Sequence, residues 1–230
     1  MQATIDTFNE RVAEIELYYS AIDDLYLSKI SANNGEKYLE GDFLKILKSN
    51  ALLMVYNLVE STVMGGIMEI YDTLFQHGIT YRMVRREIQN IWFSFKFNQV
   101  YDKNAHYNSY RDKAAEIITS ILSDDTLTLD RKATDISGNL DAEKIRQICR
   151  DHGIQYRLGP ESRGGVALED VKNKRNNLAH GTMSFVECGR DYTIEDLKKI
   201  KNETVFFLQN ILSGMKNYYD NQLYLMASNG

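Results

Sequence analysis

Between Lys172 and Gly181 the chain reads KNKRNNLAHG, which sets Arg175, Asn176 and Asn177 on one stretch with His180. These side chains suit one kind of chemistry. Arginine and asparagine offer several hydrogen-bond donors and a fixed positive charge, which a phosphate takes up; histidine gains or loses a proton near neutral pH. At about 100° per helical residue, Arg175 and His180 lie about 140° apart, with Asn176 between them and Asn173 and Asn177 towards His180. Val171 and Leu178 fall on the opposite, packed side. A second reading fits the same residues. It is a helix C-terminus where His180 meets the negative end of the dipole and Gly181 supplies the left-handed terminator.

Spacing alone does not choose between them. With twelve arginines and four histidines in the chain, an arginine a few positions before a histidine arises readily by chance. Arg146 and His152 make such a second pair. There Ile148 and Cys149 continue an apolar face and Gly153 follows as a terminator, so this pair reads as structural.

The elements that carry these residues are helical. One proline in 230 residues, Pro160, leaves long segments free to form helices. Ile5, Phe8, Val12, Ile15, Tyr19, Ile22 and Tyr26 alternate three and four apart, a heptad-like stripe on a long first helix ended by Asn33 to Gly35. A second helix is expected over Asp42 to Gln76 with a stop at His77-Gly78. Its Gly65-Gly66 pair lowers helix propensity and implies a close helix–helix approach. Further helices are expected over Tyr81 to Phe97, Tyr107 to Leu122, from Asp141 to Gly153, Val166 to His180, and Thr193 to about Leu225. Thr193 and Asp196 form a capping-box-like pair at the last of these. Residues 124–165 begin with β-like TLTL and turn residues and read as a small irregular insertion before the motif helix. The expected fold is an all-α helical bundle forming one domain over 1–230.

Composition narrows the class. The apolar run ALLMVYNLVESTVMGGIMEIYDTLF carries Asn57, Glu60 and Glu69 and reads as a buried helix, with no membrane partner. A net charge of −5 argues against a protein that coats nucleic acid through a basic surface, while leaving room for a local basic cleft. Cys149 and Cys188 show no disulfide framework, and the N-terminus has no signal pattern, so a cytoplasmic location is expected. The histidines and cysteines lack metal-ligand spacing, and no glycine loop cradles a phosphate; neither metal nor cofactor is expected.

Arg175-Asn176-Asn177-Leu178-Ala179-His180 resembles the signature of the HEPN superfamily: an arginine, a polar residue, and a histidine after four to six positions. The wider stretches VKNKRNNLAHGTMSF and CGRDYTIEDLKKIKNETVFFLQNIL are similar to its MAE-type branch, as are LVESTVMGGIMEIYD and ISGNLDAEKIRQICRDHGI. The resemblance covers nearly the whole chain. It implies a helical bundle that forms a homodimer with two motifs facing one cleft. It also implies a metal-independent endoribonuclease of a toxin–antitoxin or antiphage system, restrained by an antitoxin or a larger defence protein. One branch carries an adenylylated tyrosine two residues after the histidine; this chain has Thr182 there.

Cleaving RNA without a metal requires the 2′-OH deprotonated, the phosphorane charge stabilised and the leaving 5′-oxygen protonated. On this reading Arg175, His180 and Asn176 are the catalytic candidates, with Glu60, Ser61 and Asn177 in support. Glu60, a carboxylate in an apolar segment, needs a partner: either Arg175 or His180, or a purely structural pair. Arg82, Arg85 and Arg86 form either an RNA-facing patch or a solvated helix face. The alternative function is a noncatalytic HEPN-fold dimerisation, RNA-binding or interaction module of a larger defence complex.

Overall fold

The protein is described by a computed structural model covering residues 1–32, 41–98, 107–134, 136 and 138–226. Among these residues there are eight α-helices and no strand, only two isolated bridges, Thr80 to Thr126 and Val84 to Leu225. The all-α bundle expected from the sequence is what forms. The Asn33–Gly35 break lies outside the described residues.

Helix α2 (Asp42–Gln76) is the spine. It is apolar almost all round, as a helix covered on several sides must be. α1 (Gln2–Ala32), α6 (Ala167–Ala179), α7 (Phe185–Arg190) and α8 (Ile194–Asp220) all pack on it. By length and composition alone α2 could cross a membrane, but Tyr56, Val59, Val63, Ile67 and Ile70 are buried inside this bundle. The glycine pair marks the expected close approach. A Cβ on Gly65 would press against Thr4 of α1, and one on Gly66 would meet the sulfur of Met215 on α8 at 2.5 Å.

The heptad-like stripe of α1 is used inside the chain. Phe8, Ile15, Tyr19 and Ile22 are buried in the core, with Ile5, Val12 and Tyr26 packed against it.

Helix ends written in capping chemistry fall where expected. Asp141 accepts from the Lys144 amide to start α5 (Ala142–His152), and Gly153 ends it at φ 72°. Thr193 and Asp196 form a reciprocal capping box at α8. Ends set by tertiary contacts do not. α3 (Arg86–Asn98) starts five residues later than expected, because 80–85 is drawn into turn and bridge pairing. Arg85 donates its amide to the Tyr224 carbonyl, and Met226 donates to Met83. The same pairing pulls Leu225 out of α8, which stops at Asp220. α4 spans Tyr107–Leu122 as expected. The TLTL run yields only the single bridge at Thr126.

Candidate functional site

Arg175 sits in the middle of α6, about a quarter exposed, and its guanidinium is held from three sides. Nη1 donates to the Gly138 carbonyl at 3.1 Å and to Asn176 Oδ1 at 2.9 Å. The guanidinium lies over the Tyr56 ring, 4.7 Å from its centre, and Nη2 stands 3.8 Å from Glu60. A guanidinium has five N–H donors. Both hydrogen bonds come from Nη1, so Nε and Nη2 keep theirs with only the loose Glu60 ion pair beside them. The arginine is oriented without being saturated.

The orienting group is a strap, Gly138 to Asp141, laid along α6. Gly138 has φ 65°, and a Cβ there would stand 3.3 Å from Arg175 Nη1. Asn139 Oδ1 accepts from Asn176 Nδ2 at 2.7 Å, and the Leu140 amide donates to Tyr56 Oη at 3.2 Å. Asp141 then takes the Lys172 ammonium at 2.6 Å while capping α5. Burial pushes the Asp141 carboxyl up, but Lys172 and the Lys144 amide outweigh it and leave it below the usual carboxylate range. Burial also raises the Tyr56 hydroxyl, so it stays protonated at neutral pH.

His180 is the residue after the helix, with its side chain exposed and without a hydrogen-bond partner among the described residues. The turn that follows is a Schellman motif: the Gly181 amide bonds to Leu178 O and the Thr182 amide to Asn177 O, with Gly181 at φ 68°. The helix-terminus reading is thus realised in the backbone. It leaves the imidazole free, so it does not compete with the chemical reading.

The site candidates divide accordingly. Arg175, Asn176 and Glu60 are drawn into one network around Tyr56 and Gly138. Asn177 stands outside it, its carbonyl and Oδ1 facing the Thr182 hydroxyl. Ser61 also stands outside: its hydroxyl bonds to Leu58 O of its own helix. Tyr56, Gly138 and Asn139 were not singled out by sequence. Tyr56 lies one helical turn before Glu60, which is the only signal that pointed to it.

Two of the three arginines of the possible RNA-facing patch are engaged elsewhere. Arg82 pairs with Asp124, and Arg85 bonds to Leu223 O and approaches Glu87. A cleft of about 920 Å³ lies away from the motif between α3, α5 and the turn at Arg131–Ala133. Its wall mixes Lys132 and Arg150 with Glu87 and Asp151, and Arg150 is already bound to Glu143 at 2.6 Å. Among the described residues no group of three or more acidic, histidine or cysteine side chains is arranged to hold a metal ion.

A family model described as HEPN_MAE_28990-like HEPN matches residues 1–224. Curated proteins and solved structures give no match.

Proposed function

The chain belongs to the HEPN_MAE_28990-like family, and from that premise we propose that it is a metal-independent endoribonuclease of a defence or toxin–antitoxin system. The observation that carries this reading is the division of labour on α6: a guanidinium held in place with free donors, and an exposed, unpartnered imidazole at the helix end. Arg175 would hold the scissile phosphate through Nε and Nη2. Asn176, bridged between Arg175 and Asn139, positions the guanidinium, and Glu60 sets its tilt.

The reaction needs a base to take the 2′-OH proton and an acid to protonate the departing 5′-oxygen. Attack of the 2′-oxygen on phosphorus then leaves a 2′,3′-cyclic phosphate and a 5′-hydroxyl. Each chain offers one exposed motif histidine, so the two roles fall to His180 of two protomers across a shared cleft. Incubating purified protein with RNA in excess chelator tests this: cleavage continues and the products carry 5′-hydroxyl ends. A strict need for a divalent metal ends the mechanism. On mixing with excess His180→Ala under subunit exchange, activity falls with the square of the wild-type fraction; a linear fall rejects the shared cleft.

A noncatalytic module is favoured by one observation. Gly138, Asn176, Tyr56 and Glu60 hold Arg175 in place without any ligand. RNA binding without cleavage in the same incubation is its signature.

A further inference from the structure

Next to the motif, one face of α2 forms a groove that reaches beyond the residues used by the catalytic reading. Leu53, Asn57, Glu60, Ser61 and Met64 recur along this face. At about 1.5 Å per residue they span roughly 16 Å. Asn57 joins two hollows. One, about 170 Å³, contains Arg175; the other, about 260 Å³, contains Arg11 from α1 and Arg131 from the turn before the strap.

We propose that this second hollow is a phosphate subsite for the RNA strand, in which Arg11 and Arg131 grip the backbone beside the phosphate held by Arg175; this rests on RNA being the substrate. Arg11 and Arg131 come from distant parts of the sequence and converge on one hollow. Neither guanidinium has an ion-pair or hydrogen-bond partner among the described residues. The one carboxylate lining the hollow, Glu60, already faces Arg175. Three guanidiniums around one carboxylate make a locally positive track on a chain of net charge −5. An anion entering it relieves the repulsion between the arginines.

Size selects the class of anion. Sites that enclose a small molecule hold about 300–1,000 Å³. Two smaller hollows in line suit a strand that passes through. The track is long enough for roughly five nucleotides at about 3.4 Å per stacked residue. Asn57 and Ser61 add polar groups, and Met64 gives a base an apolar surface.

The test measures binding of a labelled ten-nucleotide single-stranded RNA to His180→Ala protein, with and without Arg11→Gln and Arg131→Gln together. The double replacement is expected to weaken binding on the order of tenfold and to lower the slope of log affinity against log salt by about 1.4, two phosphates at about 0.7 each. Arg11→Lys with Arg131→Lys keeps the charge and should restore most of the slope. That pair also decides the matter should the glutamine protein melt at a lower temperature. Equal affinity and slope in parent and glutamine protein overturn the subsite even if the wild type cleaves RNA. Arginine-dependent binding by a wild-type chain that cuts nothing leaves the subsite standing and removes the nuclease reading. Absence of RNA binding removes both.

Discussion

Two arginine–histidine pairs of nearly equal spacing have opposite fates here. The arginines are alike. Arg175 donates to Gly138 O, lies over Tyr56 and approaches Glu60. Arg146 bonds to Gly164 O, lies over Phe207 and stands 3.8 Å from Glu143. The histidines separate them. His180 is exposed, whereas His152 is 2% exposed and satisfied on both nitrogens. Its Nδ1 meets Ile148 O at 2.7 Å, which requires an N–H there, so Nε2 accepts from Tyr71 Oη at 2.7 Å. An anchored arginine is common to a structural knot and a candidate active site. A free imidazole is not.

The sharpest way to break the comparison is to exchange losses. His180→Ala is expected to lower RNA cleavage by about 10²–10⁴-fold with the melting temperature nearly unchanged, and Arg175→Ala to do comparable harm. His152→Ala should do the reverse. It strands the Tyr71 hydroxyl and removes buried volume, costing about 2–4 kcal/mol in denaturant titration, while the folded fraction keeps its cleavage rate. Arg146→Ala should leave the rate nearly unchanged as well. Loss of cleavage on removing His152 or Arg146 from folded protein would reverse the assignment.

A smaller effect probes the strap. Gly138→Ala puts a Cβ against the Arg175 guanidinium and a side chain at positive φ. We expect roughly 1 kcal/mol of destabilisation and about a tenfold slower cleavage, since a displaced phosphate ligand loses orientation. An unchanged rate at reduced stability would make the strap purely structural.

The smallest effect is a pH dependence. Burial holds the His152 imidazole below its ordinary value of 6.5, outweighing the opposing pull of Ile148 O and Asp151. The unfolded chain therefore binds a proton that the folded one refuses. The stabilisation is complete above about 6.5 and is lost as pH falls from there towards the lowered folded value, by at most about 1.4 kcal/mol per pH unit. Melting curves from pH 7 to 5 should show a steeper loss for wild type than for His152→Gln. Parallel curves would assign the acid sensitivity to other groups.

The same contrast explains what the sequence could carry. Helix ends governed by local chemistry, such as Asp141, Gly153, Thr193 and Gly181, were legible because the cap is encoded within four residues of the end it closes. The close approach at Gly65-Gly66 was legible because glycine inside a helix needs compensation. The onset of α3 and the end of α8 were not, since residues 83–85 and 223–226 take their conformation from each other. The motif helix stood out through its donor-rich face. Its partners did not, because Tyr56 and Gly138 act on Arg175 from 119 and 37 positions away, and no periodicity marks such pairings. For Glu60 the need of a carboxylate in an apolar segment for a counter-charge left Arg175, His180 or a structural partner, and Arg175 stands 3.8 Å away.

The spine has a consequence in time. During synthesis α2 emerges well before α7 and α8, which lie beyond residue 184. At about 5–20 residues per second, roughly 110 residues must follow before the first of them is complete, an interval of about 5–20 s. Through that interval a 35-residue apolar rod remains only partly covered. Until then the side chains that α7 and α8 will cover stay in contact with solvent. Arg175 is made more than 110 residues after its carboxylate and its ring, so chains ending before α6 lack the assembled site.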